Sequence, residues 1–284
     1  MSRKAVLPKM GVATVGGGYG AFPEREQKKY GRRPKLLESI WVKGKKTPLI
    51  FLAVAPVEAL GIQDRVVMVN KKNGHLIERA FKESGKEEFH FLVQPDGTIP
   101  GPGGQPVKNN GPLVAILKAA DWLESVGCTD MVVNAGDMGN WKTWIWAQLI
   151  KAHLQVRSMF SMVTTMRRQT PELAELERYS RVIKNGDNMI ARIVPLSDPS
   201  ITGTELSQPL VDPFLYAFNI RWLKETGKLV EPTEKGERHP YQFAEIAYLD
   251  GCPAVEVYCD DSRQAFGVNT REELLKMRQM WAKR

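Results

Sequence analysis

The sequence contains little cysteine and histidine for its length. Three cysteines and four histidines occur among 284 residues, without the close spacing of a zinc site or a disulfide framework. This scarcity predicts a reducing compartment, and we expect a cytoplasmic protein. The sequence also lacks an apolar run of about 18 residues, the length needed to span a bilayer. Its first residues lack the apolar core of a signal peptide. The sequence pattern therefore argues against a membrane-spanning protein and against a disulfide-stabilised secreted domain.

The sequence does contain enough apolar residues for a large core, together with an excess of positive charge. Hydrophobic residues make up 43% of the chain, which excludes a disordered protein. The formal charge of +8 favours an anionic partner, which could be nucleic acid, a phosphorylated metabolite or an acidic membrane surface. No linker or change in composition divides the 284 residues. We therefore predict a single domain over residues 1–284.

Short β-rich segments alternate with amphipathic segments of helical length in the first half of the chain. This alternation predicts an α/β fold with a mostly parallel mixed sheet flanked by helices. Ligands in such folds bind beyond the carboxyl ends of the strands. The predicted strands are Val12–Val15, Arg65–Asn70, Glu88–Val93, Asp130–Asn134 and Ser158–Thr164, and the predicted helices are Pro48–Leu60, His75–Lys82, Leu113–Ser125 and Ile145–Leu154.

Turn and cap residues delimit several of these elements. We expect Thr47 to cap the first helix and Gly61 to end it. Thr270 and Glu273 predict a capping box for a last helix that begins at about Arg271. The Gly/Pro-rich segment 95–111 predicts a functional or mobile loop. Further predicted elements are a hairpin of Arg178–Lys184 with Met189–Val194, strands at Leu210–Phe218 and Ala254–Tyr258, and a helix at Pro240–Tyr248.

A glycine-rich turn follows the first predicted strand, with glycine at positions 16, 17, 18 and 20. Consecutive glycines let backbone N–H groups approach a phosphate that side chains would keep away. Gly16, Gly18 and Ala21 also match a dinucleotide-binding spacing, but Pro23 and a charged segment follow where that pattern needs a helix. A tight turn without a ligand is the remaining interpretation.

Six basic residues follow this turn within eleven positions: Arg25, Lys28, Lys29, Arg32, Arg33 and Lys35. Charge runs commonly face solvent, and a basic patch also suits nucleic acid. A basic segment directly after a glycine turn favours a triphosphate, because its charge must be offset before displacement can occur. The segment has no interleaved aromatic residues and no known nucleic-acid-binding motif, which argues against nucleic acid.

Two polar residues follow predicted elements at positions where a ligand could bind. Asp137 comes just after a predicted buried strand, where an aspartate is commonly a turn former. The alternative is a metal ligand, because Mg²⁺ needs one or two protein carboxylates beside water and phosphate oxygens. Asn269, taken alone, is most simply a cap before the last helix.

In their order and spacing these motifs resemble the sugar-1-phosphate nucleotidyltransferases, and in pattern most of all the N-acetylglucosamine-1-phosphate uridylyltransferase domain. The resemblance covers most of the chain. The matching motifs are the glycine turn with Pro34-Lys35 after it, Gly136-Asp137, the run from Tyr179 to Ile183 in place of the family's Tyr-Gly-Arg-Ile, Arg192-Ile193-Val194, and Gly267-Val268-Asn269.

The resemblance implies a Rossmann-like, GT-A-like fold, with a nucleotide-binding part at roughly 10–140 and a sugar-phosphate-binding part at roughly 141–284. It implies an enzyme that joins a sugar 1-phosphate to a nucleoside triphosphate, UTP by this pattern, and releases pyrophosphate. Mg²⁺ would bind Asp137 and Asn269, and Lys35 would offset charge on the α-phosphate. The attacking phosphate oxygen is already anionic, so no general base is required. This agrees with the absence of a plausible histidine dyad in the sequence.

The remaining site residues are likewise implied by the resemblance. Those expected to bind the nucleotide are Gly16, Gly17, Gly18, Gly20, Gln94, Asn110 and Gly111, and those expected to bind the sugar phosphate are Tyr179, Arg181 and Asp212. The chain ends where the family's bifunctional bacterial enzyme begins a β-helix, so no acetyltransferase activity is expected. The oligomeric state is not predicted.

The chain departs from the family pattern at three places. Ala21-Phe22 replaces Thr-Arg after the glycine turn, and we expect Arg25 to act in place of the missing arginine. Pro195 replaces a sugar-binding glutamate, and the run from Asp212 to Phe214 replaces Asn-Thr-Gly. The identity of the sugar therefore stays open, and a nucleotide- or nucleotide-sugar-binding protein with reduced catalysis is the alternative function.

Overall fold

The computed structural model describes residues 8–16, 34–95, 98–100, 106–108, 111–167, 171–233 and 236–282. Its strands are β1 (Met10–Val15), β2 (Ser39–Val42), β3 (Lys45–Pro48), β4 (Arg65–Val69), β5 (His90–Val93), β6 (Thr98–Pro100), β7 (Pro106–Lys108), β8 (Asp130–Ala135), β9 (Phe160–Met166), β10 (Arg181–Lys184), β11 (Ile190–Val194), β12 (Leu210–Val211), β13 (Leu215–Asn219) and β14 (Val255–Cys259). Its α-helices are α1 (Leu49–Ala59), α2 (Gly74–Glu83), α3 (Pro112–Ser125), α4 (Thr143–Gln155), α5 (Gly203–Leu206), α6 (Ile220–Thr226), α7 (Phe243–Leu249) and α8 (Arg271–Ala282).

Ten of these strands form one mixed sheet, in the order β11-β10-β12-β9-β13-β8-β1-β4-β5 with β14 beside β9. The strands β8, β1, β4 and β5 are mutually parallel, so their carboxyl ends lie at one edge. Strand β13 is antiparallel and separates β8 from β9. The predicted α/β class, a mixed sheet flanked by helices, is confirmed.

Helices cover both faces of the sheet, and β8 shows why its sequence is continuously apolar. Met131 and Val133 face the core beneath α3, whereas Val132 faces the core beneath α1 and α4. All three side chains are fully buried. A parallel strand covered on both faces has no solvent side, and its sequence therefore does not alternate between apolar and polar residues.

The predicted elements of the first half are all present, with ends that differ by at most two residues. The capping box of α8 is also confirmed, because Thr270 N donates to Glu273 Oε2 at 2.8 Å and Glu273 N donates to Thr270 Oγ1 at 3.2 Å. Gly61, at φ +67°, follows α1 as predicted. Within the described part of the chain, no helix is long and apolar enough to cross a bilayer.

Two local predictions are wrong and a third is confirmed. Thr47 does not cap α1, because it lies in β3, which pairs with β2 in a hairpin that the sequence did not indicate. The predicted strand at 210–218 is two strands, since Pro213 has no N–H for the ladder and Phe214 has a left-handed φ of +56°. The predicted helix at 240–248 is present, with a 3₁₀ first turn, Pro240–Gln242, that continues into α7.

The hairpin prediction is confirmed, and the segment predicted as a loop contains a second hairpin. Strands β10 and β11 pair antiparallel around residues 185–188, although the first strand begins three residues later than predicted. Segment 95–111 contains β6 and β7, which pair with each other. The rest of that segment between residues 96 and 110 lies outside the described residues.

Candidate active site

Three predicted site residues meet at the carboxyl edge of the sheet. Asp137 follows β8, Lys35 begins a short 3₁₀ turn, and Asn269 precedes α8. Lys35 Nζ lies 2.7 Å from Asp137 Oδ2 and 3.3 Å from Asn269 Oδ1. The Lys35 and Asp137 side chains are 11% and 23% exposed. The fold therefore places one cation against a carboxylate and an amide oxygen at an edge that solvent reaches.

Gly136 determines how the chain reaches Asp137. Its amide donates to Val15 O at 3.0 Å, and a Cβ at this position would lie 2.7 Å from Ile50 Cδ1. A side chain would therefore push the turn away from α1. Asp137 O in turn accepts from Val268 N at 3.2 Å, which ties this turn to the segment that carries Asn269.

A buried side chain, Glu273, and a partly buried one, Tyr179, hold the Asn269 segment. Asn269 N donates to Glu273 Oε2 at 2.5 Å, within the capping box of α8. On the other side, Tyr179 Oη accepts from Gly267 N at 3.0 Å and donates to Ala265 O at 2.8 Å. Because both ends of the segment are hydrogen bonded, the position of the Asn269 amide depends on Glu273 and Tyr179.

A pocket of about 640 Å³ opens beside Asp137 and Asn269. Asp212 forms part of its wall, with 9% of the residue exposed. Asp212 Oδ1 accepts from Phe214 N at 2.9 Å, and Tyr216 Oη donates to Asp212 Oδ2. Burial raises the pKa of Asp212 to about 6, although these hydrogen bonds act in the opposite direction.

The two other predicted sugar-phosphate residues have different places. Tyr179 lines the pocket. Arg181 is 1% exposed, and its guanidinium donates to the carbonyl oxygens of Tyr179, Leu206 and Glu177 at 2.6, 3.1 and 3.0 Å. Arg181 is not among the residues that line the pocket. Its expected contact with the sugar phosphate therefore conflicts with the geometry, because its donors are used on the backbone.

The predicted base-reading residues Gln94 and Gly111 are adjacent. Gln94 Nε2 donates to Gly111 O at 3.3 Å, which closes the loop between them. Gly111 has a φ of +104°, and a Cβ there would lie 2.6 Å from Arg238 O, so this approach requires glycine. Base recognition by these residues stays a prediction.

The glycine turn is described at its first residue. Gly16 N donates to Met68 O at 2.9 Å, and a Cβ would lie 2.7 Å from Leu36 Cδ1. The amide of Gly16 is thus used within the fold, and its lack of a side chain permits close packing. The predicted residues Gly17, Gly18, Gly20, Arg25 and Asn110 lie outside the described residues, as do Lys28, Lys29 and the Ala21-Phe22 departure.

Several residues of the pocket wall were not predicted from the sequence, among them Asp198, Tyr216, Glu237 and Tyr241. Tyr216 lies in β13 and is indistinguishable from a core residue in the sequence. The other three lie in or beside proline-containing polar loops, at 195–202 and 231–240. Because binding residues are concentrated on such loops, loop composition was the signal that could have indicated them.

The donor set at the edge of the sheet suits a magnesium ion. Asp137 and Asn269 present a carboxylate and an amide oxygen to one shared cation, the ammonium of Lys35. Among the described residues, no group of three or more histidine, cysteine, aspartate or glutamate side chains could hold a metal. Mg²⁺ does not need such a group, because it keeps several waters and binds phosphate oxygens. These two residues therefore fit Mg²⁺ better than they fit a metal that needs an all-protein cage.

The fold agrees with that of a known class of enzymes. The structure of a protein assigned as a glucose-1-phosphate thymidylyltransferase, from Bacillus anthracis and in complex with sucrose, has a TM-score of 0.65 with this chain. The similarity covers 96% of this chain and 95% of that one, at 16% sequence identity. The predicted nucleotidyltransferase fold is therefore confirmed.

Sequence comparisons identify relatives of the same class. The bifunctional protein GlmU of Acetivibrio thermocellus is 23% identical over 228 residues, which cover 80% of this chain and 44% of that protein. GlmU of Mycobacterium avium is 27% identical over 149 residues, which cover 52% of this chain and 29% of that protein. No family model matches the chain. The chain spans less than half the length of these curated relatives, and its resemblance to sugar-1-phosphate nucleotidyltransferases is confirmed.

Proposed function

We propose that this protein transfers a nucleotidyl group from a nucleoside triphosphate, UTP by the motif resemblance, to a sugar 1-phosphate. The observation that carries the proposal is the convergence of Lys35, Asp137 and Asn269, which come from three distant parts of the chain. Their meeting point lies at the carboxyl edge of parallel strands, where α/β folds bind ligands. The pocket beside them provides room for a second substrate.

In the proposed reaction an anionic oxygen of the sugar 1-phosphate attacks the α-phosphorus of the triphosphate. A new P–O bond forms, and the bond from the α-phosphorus to the oxygen that bridges the α- and β-phosphates breaks. The electron pair of that bond leaves with pyrophosphate. The nucleophile carries no proton that must be removed, so catalysis rests on positioning and on neutralising charge.

Each of the three residues then has a defined task. Lys35 offsets negative charge that develops on the α-phosphate, because its ammonium lies at the site and belongs to a short, well-anchored turn. Asp137 and Asn269 would hold Mg²⁺, with their oxygens already directed at one cation. When bound, Mg²⁺ supplies Lewis-acid neutralisation of phosphate charge.

The proposal is tested by measuring pyrophosphate release with four nucleoside triphosphates against a panel of sugar 1-phosphates. We expect turnover for at least one pair and a loss of about a hundredfold or more in Lys35→Ala, since electrostatic stabilisation of a transition state commonly has this magnitude. Lys45→Ala is the matched control, because Lys45 is exposed on the β2–β3 hairpin. It should retain the activity of the unchanged protein.

Two outcomes would contradict the proposal in different ways. Nucleotide affinity without pyrophosphate release from any pair would indicate a binding protein of the same fold. Tight binding to duplex DNA that falls equally in Lys35→Ala and Lys45→Ala, in small salt-dependent steps, would indicate a nucleic-acid-binding protein.

A further inference from the structure

The pocket wall contains a buried carboxylate, Asp212, which is 9% exposed. Among the described residues no lysine, arginine or histidine forms an ion pair with it. Its hydrogen bonds come from Phe214 N and Tyr216 Oη, which carry no positive charge. A buried carboxylate without a compensating cation is unfavourable in a folded protein. A ligand that supplies the cation would remove this penalty.

The backbone bends at the two residues that follow this carboxylate. Pro213 interrupts the strand ladder, and Phe214 adopts a φ of +56°, a conformation that a bulky residue rarely takes. Without this break, β12 and β13 would run on as the single apolar strand that the sequence pattern predicts. Strained backbone of this kind occurs at binding sites more than elsewhere, where the surrounding structure holds it in place.

The surroundings of Asp212 are acidic and aromatic. Asp198, Glu237, Tyr216 and Tyr241 line the same pocket. Burial raises the pKa of Tyr241, and the negative charges of Asp198 and Glu237 raise it further. A cation is attracted both by carboxylates and by the faces of aromatic rings.

The described residues that line the pocket include one arginine and one histidine. Among the described lining residues the arginine is Arg178, whose side chain is 71% exposed and pairs with Glu273 at 3.2 Å. His239 also lines the pocket, and its ring lies 3.1 Å from Glu237. A dianionic phosphate would therefore be repelled by Asp212 and drawn to Lys35, which pairs with the lining residue Asp137. Asp212 and Lys35 suit groups of opposite charge.

We propose that the phosphorylated substrate carries a cationic amino or ammonium group, which binds against Asp212 while its phosphate lies toward Lys35. This inference rests on the proposed nucleotidyl transfer and specifies its second substrate. The shared chemistry is a phosphate monoester with a positive charge at its other end. An amino sugar 1-phosphate and a phosphorylated amino alcohol both have it, and the experiment separates them.

The test compares four phosphate monoesters as substrates and as ligands: glucosamine 1-phosphate, phosphocholine, glucose 1-phosphate and N-acetylglucosamine 1-phosphate. Pyrophosphate release gives kcat/KM, and titration calorimetry gives Kd without requiring turnover. We expect one of the two cationic compounds to have a kcat/KM and an affinity about tenfold or more above those of the neutral sugar phosphates. The reason is that a neutral compound leaves the desolvated carboxylate without its charged partner. Which of the two binds identifies the source of the cation. Turnover of phosphocholine alone would retain nucleotidyl transfer and contradict a sugar 1-phosphate as the acceptor.

Asp212→Asn removes the charge and retains the size of the side chain, and it should abolish this preference. Asp198→Asn should reduce the preference by a smaller factor, which keeps the test decisive if Asp212→Asn does not fold. Asp187→Asn is the matched control, because Asp187 is exposed in the β10–β11 turn and distant from the pocket wall in sequence.

The inference would be overturned if the neutral sugar 1-phosphates bound and reacted as well as the cationic compounds or better, and if Asp212→Asn and Asp198→Asn left the ratio of cationic to neutral compounds unchanged. The proposed reaction would still stand in that case. Absence of pyrophosphate release from every pair would instead overturn the proposed reaction. In that case the calorimetric ratio of cationic to neutral ligands still decides whether Asp212 binds a cation.

Discussion

The two ends of strand β8 each carry an aspartate, and the two have opposite environments. Asp130 begins the strand, and its Oδ1 lies 3.2 Å from His153 Nε2, while His153 Nδ1 lies 2.9 Å from Ser161 Oγ. His153 and Ser161 are fully buried. Asp137 follows the other end, where it pairs with Lys35 and lines the pocket. One strand thus links a closed polar cluster to an open one.

The buried cluster has the connectivity of a serine–histidine–aspartate triad, which short sequence motifs do not indicate. These three residues nevertheless do not line the pocket, and a substrate could not reach Ser161. The comparison teaches that residue types and hydrogen bonds do not suffice to define a site. Position at the carboxyl edge of the sheet, where a ligand can enter, distinguishes Asp137 from Asp130.

The largest expected effect is that of Asp137→Ala on turnover. We expect a loss on the order of a thousandfold or more in kcat/KM, because a metal-binding carboxylate acts on the reacting phosphates. The thermal midpoint should change little, since the side chain is partly exposed and its ion pair lies near solvent. Pyrophosphate release and thermal unfolding of the same preparation measure both quantities.

Asp130→Ala is the matched variant at the other end of the strand. It should lower the free energy of unfolding and leave kcat per folded molecule nearly unchanged at low temperature. If both variants lost activity equally while remaining folded, the distinction between the two ends of β8 would be refuted.

The next effect concerns stability and its dependence on pH. Burial alone would raise the pKa of Asp130, but hydrogen bonds from His153, Thr129 and Asn219 outweigh it and hold the pKa below its ordinary value of 3.8. A lowered pKa means that the stabilisation is present above pH 3.8 and is lost as the pH falls through the lower folded value.

His153→Ala removes the largest of these hydrogen bonds and leaves a buried carboxylate poorly compensated. We expect a loss of about 3 kcal/mol in the free energy of unfolding at pH 7, from the broken bond and the cavity together. Burial should then raise the pKa of Asp130, so the variant should lose less stability on acidification than the unchanged protein. Urea unfolding at several pH values measures both. An equal pH dependence in the two proteins would show that His153 does not set the pKa of Asp130.

The smallest effect is expected for a residue that positions the open site without supplying a ligand. Tyr179→Phe leaves Gly267 N and Ala265 O without their shared hydroxyl, and these groups flank the segment of Asn269. We expect a loss of about tenfold in kcat, from one or two hydrogen bonds, and a higher Mg²⁺ concentration for half-maximal rate. A change in the KM for the sugar phosphate with an unaltered Mg²⁺ dependence would instead assign Tyr179 to substrate binding.

Much of the fold was predictable because it depends on neighbours within a few residues. The apolar run of β8 and the pairing of Thr270 with Glu273 are local signals of this kind, and both elements are present as predicted. The errors occurred where distant residues decide. Thr47 has the chemistry of a helix cap, but pairing of β3 with β2 draws it into a strand. The strand prediction at 210–218 followed the apolar pattern and gave too little weight to Pro213.

The candidate site divides in the same way. Lys35, Asp137 and Asn269 were predicted from short motifs, since Lys35 belongs to a Pro-Lys pair, Asp137 follows a strand and Asn269 precedes a helix. That these residues lie together depends on the order of the strands in the sheet, which short motifs do not determine. Arg181 belongs to a matching motif as well, yet its side chain is buried and bonded to the backbone.

Sequence alone determined the alternation of strands and helices, because hydrophobic periodicity is a property of short segments. It also determined which positions have a glycine where two backbone segments pack closely, and which residues stand at the edge of the sheet. Tertiary structure alone decided which polar residues face a pocket. Asp130 and Asp137 stand seven positions apart beside the same strand, and the sequence assigns both the same charge. Asp130 is buried beneath α4 and is a structural residue, whereas Asp137 is partly exposed at the open edge of the sheet and available to a ligand. This difference is decided by the tertiary structure, because desolvation and access depend on residues far away along the chain.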